Sequence, residues 1–437
     1  MLRPLFILAA VVLAGCGSSS SGPAPVAVCH AITSDGGGCC GTGACAAPTG
    51  PPAAVAKDMS EGTPVDPAIV AADNAFGLSV LKTLLAVPGV TARDNIAIAP
   101  ISLSLALQIT YNGAAGTTQQ AMAQTLQLGS LTTQQLNDDN AALQAQLIMN
   151  SGESQLTIAN SLWTNPNITV APAFIQASQN YYGAMLGSLA GAPDNVNQWV
   201  SQETNGQITK ILPPGNYGDV VAVIANAVYF SGSWQSSFQT SQTAAQPFTL
   251  GDNSQVTVQM MHQSGSFLYF QGAGFQAIRL PYGTTGSLSM LVVLPAVGTD
   301  MYTFVSGLSA AAIDGWESQM QNEYGDVALP RFSTTFAQEL QGPLTSLGMA
   351  VAFSPGEADF SGIAPMTNIS SVMHMTVVHV DETGTVAAGA TTVTVTTGAA
   401  EAPQFMITMD HPFFYAIRDD KTGDLLFVGV MADPSGG

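Results

Sequence analysis

The chain has five histidines, and their spacing builds no catalytic or metal site. His374 and His379 are five apart in a strand-like stretch, so they point to opposite faces and cannot close on one ion. His30 sits beside Cys29, but Cys29, Cys39, Cys40 and Cys45 follow no regular zinc-ligand spacing. GxSxG, HExxH, a Walker loop and a GxGxxG followed by a distant acid are all missing. Nothing assembles a nucleophile, a base and an orienting acid. The sequence therefore nominates no enzyme, no metal and no cofactor.

One segment instead stands out by its composition. Residues 381–403 read DETGTVAAGATTVTVTTGAAEAP, with no charge between Glu382 and Glu401. The run opens on small residues: Gly384, Thr385, Ala387, Ala388, Gly389 and Ala390. It then alternates, with Thr391, Val393 and Val395 on one face and Thr392, Thr394 and Thr396 on the other. Extended backwards, the first face gains Thr385, Ala387 and Gly389, none of them charged or bulky. An ordinary edge strand or hairpin is one reading, although edges usually carry a charge or Pro against aggregation. The other is a segment able to enter a sheet.

The elements around that segment indicate one large α+β domain. Apolar residues make up 46% of 437, enough for a sizeable core. Residues 69–85 place Ile69, Ala72, Phe76, Val80 and Leu84 on one helical face, and residues 95–99 alternate like a strand. Pro100-Ile101-Ser102 opens a helix running from Leu103 to about Tyr111, with Ser102 as N-cap and Gly113 as its stop. Residues 220–230 are almost continuously apolar, as in a central strand covered on both faces. Residues 288–294 and 425–431 read similarly, so helices gather in the first half and strands in the second.

The start of the chain addresses the compartment. Arg3 precedes a short apolar run over residues 5–13, too short for a mature membrane span. Leu13-Ala14-Gly15-Cys16 then resembles a bacterial lipoprotein signal, cut before Cys16 with the lipid on that cysteine. No later window reads as a membrane span. Residues 1–15 are thus expected to be a signal peptide and 16–58 a Gly/Ser/Ala/Pro-rich tether reaching roughly 35–40 Å. Residues 59–437 form the single domain. The four tether cysteines suggest two local disulfides. The implied setting is an exported, lipid-anchored protein in the periplasm or at the cell surface. Twenty-nine acids against nine bases, net −20, exclude nucleic acid and a heparin-type polyanion as partners.

Several blocks, in order, resemble the serpin family of protease inhibitors. They are Asn95-Ile96 with Ala99-Pro100-Ile101-Ser102; Asn112-Gly113-Ala114-Ala115-Gly116-Thr117; and Asn197-Gln198-Trp199-Val200 with Thr204-Asn205-Gly206. Asn226-Ala227-Val228-Tyr229-Phe230 through Trp234, Leu329-Pro330-Arg331-Phe332 and Phe360-Ser361-Gly362-Ile363 follow. The series closes with His411-Pro412-Phe413 and Leu425-Leu426-Phe427-Val428-Gly429. The resemblance spans nearly all of residues 65–434.

The resemblance implies a serpin fold with a large central sheet, smaller sheets and about eight to nine helices. It makes residues 382–404 an exposed reactive-centre loop. A serine protease, or a papain-like cysteine protease, would cut that loop and be held as a covalent 1:1 acyl-enzyme while the loop inserts as a new strand. Glu382, Gly384, Thr385, Ala387, Ala388, Gly389 and Ala390 would form the hinge. Ser102, Asn226 and His374 would form the polar cluster where the sheet parts, and Trp234 would stand where the loop first enters it. Ala99 departs from the serine common in the family, which would thin that cluster. The family's spacing puts the cut after Gly398, with Ala399 and Ala400 in the same window because the loop is about three residues longer. Small residues there, and no base from Val386 to Gln404, favour an elastase- or subtilisin-like target over a trypsin-like one. The alternative is a non-inhibitory member, cleaved as a substrate or acting as a surface binding protein.

Overall fold

The computed structural model describes residues 64–152, 154–385 and 402–436. The signal peptide, the tether with Cys16, hinge residues Ala387 to Ala390 and the proposed cut at Gly398, Ala399 or Ala400 lie outside these residues.

Helix α1 (Pro67–Leu85) starts where Asp66 accepts the Ala68 N–H at 2.9 Å, and Pro67 fills the first turn, where no donor is required. Its face of Ile69, Ala72, Phe76, Val80 and Leu84 is buried, as the periodicity predicts. By length and composition α1 could also cross a membrane, which corrects the expectation that no later window would. It is a core helix here, with Asp73 and Asn74 buried on it.

Helix α2 (Pro100–Tyr111) is buried along its whole length, as a helix apolar on every side must be. It begins earlier than expected, with Ala99 as N-cap and Ser102 inside the first turn. Proline is pre-organised for the first helical position and sets the start there. Gly113 does not act as a left-handed stop either. A Cβ on it would lie 2.2 Å from Ile363, and its carbonyl accepts the Gly362 N–H at 3.0 Å. It is glycine for close approach.

Helices α3 (Gly116–Thr125), α4 (Thr133–Ser151), α5 (Pro172–Tyr182) and α6 (Asp194–Glu203) follow, and α4 opens on a Thr132/Gln135 capping box. The second half is mainly strand, interrupted by α7 (Met301–Ser306), α8 (Ala310–Glu317) and short helical turns over 341–353.

The strands form two sheets. One runs in the order β10 (Phe332–Glu339), β11 (Ser371–Val380), β12 (Gly384–Thr385), β4 (Ala222–Ser233), β2 (Gln155–Thr164), β3 (Met185–Ser188). The larger sheet runs β1 (Ile96–Ile98), β15 (Leu425–Met431), β14 (Phe413–Asp419), β8 (Leu288–Pro295), β7 (Phe275–Tyr282), β6 (Gln255–Gly272), β9 (Gln321–Pro330), β13 (Phe405–Thr408), with β5 (Ala244–Thr249) on β6.

Strand β4 explains its own composition. Ile224, Val228 and Phe230 join the main core, while Val223, Ala225 and Ala227 join a second cluster under α6 with Trp163, Val196, Trp199 and Val200. Both faces are covered, so apolar residues do not alternate with polar ones.

Candidate functional site

Strands β4 and β11 run parallel and pair directly from Val223 with Ser371 to Tyr229 with Val377. Beyond that point they part, and β12 fills the gap. Gly384 pairs with Ser233, and Thr385 lies between Gly232 and Val380. The two residues after the turn are thus seated as a short strand antiparallel to both neighbours.

A tight turn delivers them. The Asp381 N–H donates to the Gly384 carbonyl at 2.9 Å. The Asp381 carboxylate accepts the Thr383 N–H at 2.8 Å, its hydroxyl at 2.6 Å and the Gly384 N–H at 3.2 Å. Gly384 has φ +153°, and a Cβ on it would sit 2.0 Å from the Gly232 carbonyl oxygen. No side chain fits there.

The seat itself is aromatic and polar. Thr385 is wholly buried, with its hydroxyl 2.7 Å from that of Tyr282. The Tyr282 ring stacks on Trp234 at 4.5 Å. Trp234 donates from its indole N–H to the Asp381 carbonyl at 2.9 Å and from its backbone to Thr383 at 2.8 Å. The Phe238 N–H reaches the Glu382 carbonyl at 2.9 Å.

Glu382 is 5% exposed and grips Arg331, whose Nε lies 2.9 and 2.8 Å from the two carboxylate oxygens. The Thr243 hydroxyl bonds the same carboxylate. Burial pushes the Glu382 carboxyl up, but the bonds from Arg331 and Thr243 outweigh it and hold it below the usual range.

Below the hinge, three polar side chains form a row across the sheet. The strand registers place Asn160 opposite Asn226, and Asn226 opposite His374. Asn226 Nδ2 donates to Asn160 Oδ1 at 2.5 Å and to the Ser102 carbonyl at 3.0 Å, and Ser102 Oγ lies 2.5 Å away. His374 Nε2 accepts the Ala99 N–H at 3.2 Å. Nδ1 therefore carries the ring proton and donates to Asn226 Oδ1 at 2.5 Å. Burial lowers the His374 pKa to about 3, so the ring is neutral and both its nitrogens are satisfied. Ala99 contributes through its backbone, a donor that its side chain does not affect. Thr376 adds one more tie, from its hydroxyl to the Ala97 carbonyl at 2.7 Å.

The structure thus gathers Ser102, Asn226 and His374 in one cluster, and Glu382, Gly384, Thr385 and Trp234 around strand β12 and its turn. Ser102 serves from inside its helix. Asn160, Thr243, Tyr282 and Arg331 were not singled out from sequence. Asn160 carried a readable signal, a polar residue in an apolar strand like Asn226. Arg331 is one of only nine bases. Tyr282 and Thr243 carried none. Among the described residues no group of His, Cys, Asp or Glu could hold a metal.

A two-residue wedge thus parts two parallel strands, above a polar row that ties those strands to a buried helix. A family model described as serpin, serine protease inhibitor, matches residues 71–434. Serpin B6 of Pongo abelii is 31% identical over 83% of this chain and 98% of its own length. The leukocyte elastase inhibitor of Xenopus laevis is 31% identical over 78% and 94%. Among solved structures, the thermophilic serpin tengpin in its native state is 26% identical, covering 86% of this chain and 96% of its own, with a TM-score of 0.77. Human thyroxine-binding globulin complexed with thyroxine shares the fold at 22% identity, over 84% of this chain and 98% of its own, with a TM-score of 0.75. The chain belongs to the serpin family. Its class is that of protease inhibitors, which are generally not enzymes.

Proposed function

We propose that this chain is an inhibitory serpin acting as a suicide substrate on serine proteases with a small primary pocket, of elastase or subtilisin type. The observation that carries the reading is the seated hinge: Gly384 and Thr385 already occupy the first two positions of a strand between β4 and β11. Every residue that would follow them into the sheet, from Val386 to Gly398, is uncharged and free of proline. Cleavage after Gly398, Ala399 or Ala400 frees that segment, and insertion parts β11 from β4 along the pairs now joined directly. The protease leaves as a covalent ester on the new carboxyl end before water can release it. A papain-like cysteine protease would be trapped by the same steps as a thioester. The lipid on Cys16 and the tether over 16–58 would hold the domain beside a bacterial membrane, exported to the periplasm or cell surface.

Incubation with pancreatic elastase, and separately subtilisin, tests this on denaturing gels with mass spectrometry of the released peptide. A band at the summed mass, with a new N-terminus at 399, 400 or 401, is expected. Cleaved chain beside fully active protease would sink the inhibitory reading and favour a member that is only cut. Stable complexes with trypsin alone would refute the pocket assignment.

A further inference from the structure

Two carboxyl groups in the helical core take no part in the hinge or the sheet cluster. Asp73 lies on α1 and Asp424 in the turn between β14 and β15, both wholly buried. Asn74 clamps that turn. Its Nδ2 donates to the Gly423 carbonyl at 2.9 Å, and its Oδ1 accepts the Leu425 N–H at 2.8 Å. Asp424 sits between the two clamped residues, close enough to Asp73 for the carboxyls to repel when ionised. Asp73 Oδ1 accepts the Ser104 hydroxyl at 2.5 Å and the Gln108 amide at 3.3 Å, both from α2. Asp73 Oδ2 meets no donor, and the one N–H that reaches towards Asp424, that of Leu425, is spent on Asn74 Oδ1 at 2.8 Å. Two buried carboxylates in that state are far costlier than a pair in which one acid is protonated and can donate.

We propose that Asp73 and Asp424 hold a proton between them and form a pH-sensitive clasp that joins α1 and the β14–β15 turn to α2.

Burial pushes Asp73 up to about 7, against the smaller opposing effect of the Ser104 and Gln108 bonds. Burial pushes Asp424 well up too, reinforced by Asp73 and then Asp419 against the smaller pull of the Leu425 N–H and the Arg418 charge. The neighbouring charged groups have other partners, although the Arg418 charge also reaches Asp424 and opposes its shift. Asp419 accepts the Asn150 amide at 2.6 Å and the Lys421 and Thr422 N–H groups at 2.7 and 3.2 Å. Arg418 pairs with Glu317 and lies 3.3 Å from Asp420, while Arg279 holds Asp420 at 2.5 Å. Tyr182, reached through Asn140 and Gln108, keeps its phenol proton because burial raises its pKa. On α1, Lys82 is engaged by the Leu308 carbonyl at 2.6 Å.

Both carboxyls stand above their unfolded value of 3.8. The clasp therefore stabilises fully below pH ~4 and is lost as pH rises through about 7. His374 has the opposite sign, contributing above its unfolded value of 6.5 and losing that contribution as pH falls towards 3. Only a difference from a variant isolates the clasp. Since α2 also carries Ser102 into the sheet cluster, losing the proton loosens the helix that anchors the sheet.

The test compares urea midpoints of the full chain, Asp424→Asn and Asp73→Asn from pH 5 to 9, with infrared spectra of the unmutated chain. The variants should be no more stable than the parent at pH 5 and more stable at pH 8–9. The folded-to-unfolded ratio should separate by up to about tenfold per pH unit for one proton. A protonated-carboxyl band should be present at pH 6 and fade by pH 9. If neither variant folds, the band decides together with Asp420→Asn, which removes the other deeply buried acid held above its usual value and should leave the band in place; its loss in that variant overturns the clasp. A pH-independent stability difference, or no band at pH 6, overturns the clasp. So does saturable stabilisation at pH 8 by sodium or calcium chloride that Asp424→Asn abolishes, because the pair would then hold a cation. These readouts need no protease, so they stand or fall apart from the inhibitory reading.

Discussion

Replacing Asn226 with alanine should loosen the native sheet far more than the loop-inserted one. In the uncut form the side chain bonds His374 Nδ1–H, Asn160 Oδ1 and the Ser102 carbonyl, all buried. Its removal orphans the His374 donor and the Asn160 acceptor. Each unsatisfied buried group costs about 1–3 kcal/mol, so the native form should lose about 2–6 kcal/mol. That is a large part of a total of about 5–15 kcal/mol. At about 0.7–0.8 kcal/mol per degree for a domain of this size, the thermal midpoint should fall by about 3–8 °C. In the inserted form a strand separates β4 from β11, and the Asn226–His374 bond is already broken. The same substitution should then cost about half as much. Midpoints of parent and variant, uncut and loop-cleaved, at one scan rate, provide the comparison. Equal losses in the two forms would refute the idea that this row is what parts.

Gly384→Ala puts a Cβ 2.0 Å from the Gly232 carbonyl oxygen, so the hinge should be forced out of its seat. The fluorescence of Trp234, stacked on Tyr282 beside Thr385, should change; an unaltered spectrum would place the hinge elsewhere. Arg331→Ala should remove an acid-limb contribution. The Glu382 carboxyl is held below its ordinary value, so its stabilisation is present above pH ~4.5 and lost as pH falls through the lower folded value. The variant should be weaker at pH 7 and converge on the parent near pH 3, and parallel curves would contradict this. Cys16→Ser should move the chain from the membrane fraction to the soluble fraction of a bacterial host. Unchanged partition would rule out the lipid anchor.

Much of the scaffold was legible because burial leaves periodic marks. The face of α1 and the unbroken apolar run of β4 both came from that rule. The start of α2 was misplaced because Ser102 is a good cap by type, whereas Pro100 decides the first turn. Ser102, Asn226 and His374 came from the serpin resemblance; only Asn226 also stood out as a polar residue in an apolar run, a mark that Asn160 shares. Arg331 and Tyr282 were not legible, because their roles arise from contacts with the hinge across 51 and 103 residues of sequence. The proposed clasp was equally invisible, since the β14–β15 turn is brought to α1 only by the fold, through Asn74.

Loop insertion itself is tested most directly by heat. The reactive loop is cut by a protease that is then removed, and the cleaved and intact domains are melted side by side. About a dozen new backbone hydrogen bonds at ~0.5–1.5 kcal/mol each amount to about 6–18 kcal/mol, so the midpoint should rise by about 8–24 °C. Thr385→Arg, which would bury a charge in the seat beside Tyr282, should abolish that rise. A cleaved parent melting where the intact one does would contradict insertion between β4 and β11.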